Sequence, residues 1–203
     1  MPLKIGITGG IGSGKTTVLQ CFEKLGIPAF VADRCAASYY EEEDFVCAVE
    51  QIVGRTVRRS DGVVDKRLIA DSVFRDGAML RQLNTLVHPR VMADFAQWLA
   101  QQDAPYVLFE SALIYGGGLQ GYFDKIVAVY LDVKERMRRV MLRDHTTPAE
   151  IEQRMANQSE ADRALLEADY VVLNYEGNPR LRQVETIHRT LLQLAACVSA
   201  PSQ

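Results

Sequence analysis

The sequence contains no apolar run long enough to span a membrane, so no membrane partner is expected. Its four cysteines, Cys21, Cys35, Cys47 and Cys197, have neither C-x-x-C nor metal-ligand spacing. Free thiols in a reducing cytosol are the expectation, and with them a cytoplasmic location. The chain enters an apolar strand at Leu3, so no signal peptide is expected. Positive charge is not in surplus: the formal net charge is −3. That argues against a nucleic-acid partner with a broad footprint, and it leaves room for a local basic pocket. The last glycine of G-x-G-x-x-G is missing in every register near the N-terminus, which excludes a dinucleotide fingerprint. No guanine-reading Asn-Lys-x-Asp follows a strand, which weighs against a nucleotide-dependent switch. Internal repeats and low-complexity segments are also absent.

What the chain does have is ordinary globular material, with 48% hydrophobic and 24% charged residues over 203 positions. That suits one α/β domain with insertions and a sizeable core. Its most specific stretch is Gly9-Gly10-Ile11-Gly12-Ser13-Gly14-Lys15-Thr16, which fits G-x-x-x-x-G-K-[ST]. Leu3–Thr8 reads as a strand before it, and Thr16–Leu25 as an amphipathic helix after it. The glycines let the backbone fold back so that N–H groups and the helix N-terminus face a phosphate. Lys15 can reach the terminal phosphates, and the Thr16 hydroxyl can ligate Mg²⁺.

Further along, Ala29–Ala32 reads as a second strand, with Asp33 at its carboxyl end, where open α/β sheets bind ligands. Asp33 serves equally well there as a helix N-cap. From Asp65 to Ala100 the pattern is helical, with Asp65 a cap and His88-Pro89 a break between helices. Tyr106–Phe109 is a strand, and Glu110 at its end either orients Mg²⁺ or pairs with an arginine. Ile126–Leu131 has the continuous apolar character of a strand buried on both faces.

On the helix 134–144, Arg136, Arg139 and Arg143 share a face. An anionic transition state would relieve their repulsion. Pairing with Glu135, Asp144 and Glu150 would relieve it as well. Thr147-Pro148-Ala149-Glu150 is a capping box for the next helix. Asp169–Leu173 returns to strand, and Arg180 opens a terminal helix with Leu181, Val184, Ile187, Leu191 and Leu194 inward.

The whole set, in order, resembles the dephospho-CoA kinase family. Ile7–Lys15 is similar to that family's opening, Gly26-Ile27-Pro28 to Ala32-Asp33 to its second strand and aspartate, and His88-Pro89 to its helical-domain motif. Arg139–Asp144 is similar to its lid helix, and Ala168–Val172 with Asn174 to its last strand. Two departures stand out. Val31 occupies a position where the family often has a second aspartate, and Ala112–Gly116 lacks the family's proline and glutamate.

The resemblance implies a P-loop α/β fold: a parallel sheet with helices on both faces, formed by 1–60, 101–133 and 167–203. It adds a helical substrate-binding insertion at 61–100 and a lid at 134–166. It implies ATP-dependent phosphorylation of the ribose 3′-hydroxyl of dephospho-CoA, with Mg²⁺, in a monomer or weak homo-oligomer. ATP contacts would come from Gly10, Ile11, Gly12, Ser13, Gly14, Lys15, Thr16 and Thr17, with Arg143, Asn174 and Asn178. Asp33 would be the base, with Lys15, Arg139 and Thr8 beside it. His88 and Arg90 would meet the acceptor, and Glu110 would stand near the metal. Other small-molecule P-loop kinases remain the competing reading, because the acceptor pocket is not legible in the sequence.

Overall fold

Strand β1 (Leu3–Thr8) runs through the middle of a five-stranded sheet. It is joined by β2 (Ala29–Val31), β3 (Tyr106–Glu110), β4 (Lys125–Tyr130) and β5 (Tyr170–Leu173). The order is β2-β3-β1-β4-β5, and every neighbouring pair is parallel. This computed structural model describes residues 1–144, 147–156 and 160–199. Ile7 lies opposite both Glu110 and Val127, and Thr8 opposite Ala128. The carboxyl ends of β1, β3 and β4 therefore finish along one edge.

The central strands read as continuous apolar runs because both faces are covered. On one face Ile5, Ile7, Leu108, Val127 and Val129 join Val18, Leu19 and Phe22 of α1 (Lys15–Glu23) and Val184, Ile187 and Leu191 of α9 (Arg180–Ser199). Full burial of such a side chain contributes about 1.5–3 kcal/mol. On the other face the Phe30 ring stacks on Phe109 at 5.7 Å, with Trp98 5.6 Å from Phe30 and Phe123 5.1 Å from Phe109. Leu181, expected inward, is 49% exposed. It belongs to the first turn of α9, before the helix reaches the sheet face that buries Val184.

The chain divides into two compact units, Met1–Val31 with Gln97–Gln203, and Ala32–Ala96. The second contains α2 (Ala32–Ser38), α3 (Glu43–Val53), α4 (Lys66–Val73) and most of α5 (Gly77–Leu99). It starts well before residue 61, because α2 and α3 group with the helices expected as an insertion. Phe45, Val46, Val49, Ile69, Val73, Val91 and Phe95 are buried there. Asp65 caps α4 by accepting from the backbone N–H of Arg67 and Leu68, both at 3.0 Å.

The break expected at His88-Pro89 does not occur; α5 runs straight through Pro89. Pro89 and Thr85 are both exposed. The i+4 bond that Pro89 removes is therefore on the exposed side of the helix, where losing it is cheap. The apolar stripe continues on the buried side through Val91, Phe95 and Leu99.

After β4 come α6 (Val133–Asp144), α7 (Pro148–Ala156) and α8 (Glu160–Glu167). The capping box forms: the Thr147 N–H donates to Glu150 at 3.0 Å, and the Glu150 N–H donates back to Thr147 Oγ1 at 3.4 Å. Residues 145–146 and 157–159 of the expected lid lie outside the described residues. Among the described residues, no helix is long and apolar enough to cross a membrane.

Candidate active site

The loop between β1 and α1 leaves the central strand at Thr8, which is buried. Gly12 and Gly14 have φ of +79° and +89°, in the left-handed region that favours glycine. Tertiary packing adds a second requirement. A Cβ on Gly12 would lie 2.7 Å from the Arg136 carbonyl oxygen, and one on Gly14 would fall on the Asn174 amide. Helix α1 begins at Lys15 with Gly14 as its N-cap and no side-chain cap. Its first turn therefore presents backbone donors to an anion rather than to a capping side chain.

The Lys15 side chain is only 13% exposed, folded back over its own loop. Its Nζ donates to the Gly9 carbonyl at 3.0 Å and lies 3.8 Å from Glu110 Oε1. Glu110 thus faces the loop lysine, because β3 adjoins β1 with Ile7 opposite Glu110. Thr16 and Thr17 are exposed in the first turn of α1. Among the described residues, no group of three or more His, Cys, Asp or Glu could hold a metal ion. A cation at this loop would take most of its ligands from phosphate and water, as Mg²⁺ commonly does.

Asn174 follows the last strand and is buried. Its Nδ2 donates to the Ser13 carbonyl at 2.7 Å, and its Oδ1 accepts from Arg180 Nε at 2.5 Å. Its backbone N–H donates to the Tyr130 carbonyl at 2.9 Å, and its own carbonyl accepts from Arg139 Nη2 at 3.3 Å. Both ends of the amide are engaged inside the protein, so this side chain holds the phosphate loop rather than presenting itself to a base. Asn178 donates to the Leu173 carbonyl at 3.2 Å. Arg180 carried no signal in the sequence beyond opening a helix; only the fold brings it to Asn174.

The arginines of α6 share the expected spacing but not one environment. Arg139 is half-buried and reaches Glu135 at 3.0 Å as well as Asn174. Arg143 is exposed and pairs with Asp144 at 2.7 Å, the pairing alternative open in the sequence. Arg136 is buried. Arg138 makes two 2.7 Å bonds to Glu135. Arg138 first, and Arg139 after it, holds the Glu135 carboxyl at about 2, well below the usual carboxylate range.

In the second unit, Asp33 is exposed in the first turn of α2. The strand ends at Val31 and the helix starts at Ala32, so Asp33 is the helix's second residue rather than its cap. His88 is half-buried within α5, and burial pulls its pKa below the ordinary histidine value. Arg90 is engaged inside its own unit. It donates to both Glu42 oxygens at 2.5 Å, and its guanidinium lies 4.1 Å from the Tyr39 ring centroid. Tyr39 in turn donates to Asp94 at 2.6 Å.

Comparisons with known proteins agree with this architecture. A family model described as dephospho-CoA kinase matches residues 3–179. A dephospho-CoA kinase of Porphyromonas gingivalis is 32% identical over 191 residues, covering 93% of this chain and 94% of its own. A Thermus thermophilus protein of known crystal structure is 30% identical with TM-score 0.80, covering 95% of this chain and 97% of its own. A dephospho-CoA kinase structure from Campylobacter jejuni shares the fold at 17% identity and TM-score 0.57, covering 93% of this chain and 96% of its own. The chain belongs to the dephospho-CoA kinase family, phosphotransferases that convert dephospho-CoA to coenzyme A with ATP as the donor.

Proposed function

We propose that this chain phosphorylates the ribose 3′-hydroxyl of dephospho-CoA from ATP, and that its residues divide the work as follows. The loop amides of residues 10–14, the exposed first turn at Thr16 and Thr17, and Lys15 hold the ATP phosphates. Thr16 would supply a hydroxyl ligand to Mg²⁺, with Glu110 beside the same cation; one hydroxyl and one carboxylate suit a metal that takes most of its ligands from phosphate and water. Bound there, Mg²⁺ would neutralise charge on the phosphates. Asp33, two residues past the end of β2, accepts the hydroxyl proton. Arg139 neutralises charge on the group in transfer, with Arg143 as the second guanidinium. Thr8 lies at the strand end under the loop. Asn174 and Asn178 set the wall of the nucleotide site through the backbone they hold. His88 and Arg90 belong to the acceptor side.

The observation that carries this reading is the family match over residues 3–179, which includes the Lys15 loop. The enzyme is proposed to work in the cytoplasm as a monomer or weak homo-oligomer, without nucleic-acid or membrane partners. The test is ADP release with Mg-ATP and a panel of acceptors: dephospho-CoA, AMP, CMP, adenosine and shikimate, with mass analysis of each product. Dephospho-CoA should be phosphorylated much faster than the rest. A preference for another acceptor, or no transfer to dephospho-CoA, overturns the assignment.

A further inference from the structure

Arg180 stands in the first turn of α9, where no acidic side chain accompanies it. A helix N-terminus carries partial positive charge, so a guanidinium is disfavoured there. It is half-buried, and the ion pairs among the described residues do not include it. Its hydrogen bond runs instead to a neutral amide, from Nε to Asn174 Oδ1 at 2.5 Å. Neither helix electrostatics nor a counter-charge accounts for an arginine at this position. The partner it does have touches the phosphate loop: Asn174 Nδ2 donates to the Ser13 carbonyl at 2.7 Å.

These two bonds fix one orientation of a buried amide. Turned over, Asn174 would set its Oδ1 against the Ser13 oxygen and its NH₂ group against the guanidinium, two pairings without a hydrogen bond. Arg180 therefore selects the orientation that grips Ser13. The peptide between Ser13 and Gly14 is trans and planar, so its N–H points opposite to its C=O. Holding the Ser13 oxygen on Asn174 turns the Gly14 N–H away from Asn174. Among the described residues, no backbone hydrogen bond of the loop uses that N–H. Gly14 is also the N-cap of α1, directly before Lys15.

We propose, resting on the nucleotide half of the kinase reading, that Arg180 is a positioning residue for the phosphate loop. It acts through Asn174 and Ser13 to aim the Gly14 N–H at a nucleotide phosphate, and it makes no contact with the nucleotide itself. What it contributes is a hydrogen-bond donor at Nε, not its charge.

The test is ADP binding to the whole protein, followed by calorimetry. Arg180→Leu, which removes the donor, should weaken binding about three- to tenfold, the equivalent of one hydrogen bond. Arg180→Gln should recover most of that loss, because its Nε2 is attached to Cδ as the arginine Nε is and donates without a charge. In an Asn174→Ala background, Arg180→Leu should add less than about a twofold loss, since the residue it acts through is gone. In amide NMR the Gly14 signal should shift on ADP addition, and shift less in Arg180→Leu. Equal losses in Arg180→Leu and Arg180→Gln, or a full further loss in the Asn174→Ala background, would make Arg180 a direct charge contact and overturn the proposal. Unchanged ADP affinity in Arg180→Leu, with a lowered melting temperature, would make it a brace of the fold and overturn the proposal as well. If Asn174→Ala does not fold, the comparison of Arg180→Leu with Arg180→Gln still decides. Failure of the unmodified protein to bind ADP would bring down the phosphate-loop reading and this role with it. None of these readouts involves an acceptor, so a failed acceptor assignment and a failed role for Arg180 are told apart.

Discussion

Asn174 donates to the carbonyl of Ser13 at 2.7 Å across 161 residues of sequence, tying the end of β5 to the phosphate loop. The same side chain accepts from Arg180, and its backbone carbonyl accepts from Arg139. Asn174→Ala should therefore leave the buried Ser13 carbonyl and the half-buried Arg180 guanidinium without this partner and cost about 1–3 kcal/mol of stability in urea unfolding. ATP affinity should fall with it, because the loop loses its outer support. Unchanged ATP affinity in a destabilised variant would mean that the contact braces the fold alone.

Lys15→Ala should lower turnover on the order of 10²-fold by removing charge from the phosphate site. It should also destabilise the protein by about 1–3 kcal/mol, since it withdraws a cation from beside the buried Glu110. Adding Glu110→Gln should restore most of the melting temperature and none of the turnover. If the double variant melts no higher than Lys15→Ala, the 3.8 Å pairing contributes nothing to stability.

Arg139→Ala should reduce kcat more than it changes dephospho-CoA binding, because its charge is matched to the transition state. Arg138 also bonds to Glu135 but is 57% exposed, and Arg138→Ala should stay near wild type in turnover. A loss confined to KM in Arg139→Ala would make Arg139 a binding residue only.

Glu135 supplies a pH test. Its folded pKa, about 2, lies below the ordinary glutamate value, so the unfolded chain binds this proton more tightly. Its contribution to stability is complete above the unfolded pKa of about 4.3 and is lost as pH falls through about 2. Glu135→Gln should flatten the acid limb of the stability profile in that window, by a small amount because the pair is open to solvent. In carboxyl NMR, Glu135 should hold its ionised shift down to about pH 3. A midpoint near 4 would show that the arginine contacts do not persist in solution.

Asp33→Asn should lower turnover by about 10²-fold, the lower end for a positioned carboxylate, because deprotonation comes late in a loose transition state. ATP affinity and melting should hold, since Asp33 is exposed and the substitution keeps its shape. Full activity would remove Asp33 from the chemistry and make Glu110 the next carboxylate to test.

Alternating apolar runs and helical stripes, with Gly9–Thr16 between the first strand and helix, were enough to fix fold class and nucleotide chemistry by themselves. Local rules succeeded where the interaction is local: the Asp65 cap and the Thr147–Glu150 box form as their spacing requires. Tertiary structure decided the rest, because those outcomes depend on neighbours distant in sequence. Pro89 remains inside a helix because it and Thr85 lie on the exposed side while Val91, Phe95 and Leu99 stay buried. Glu110 meets Lys15 because β3 lies beside β1. Equal spacing on α6 could not say that Arg143 would find Asp144, Arg139 would reach Asn174, and Arg136 would be buried with its Nε unbonded among the described residues. A helical repeat sets which face a side chain shares, and only the packed neighbours set which charge it meets there.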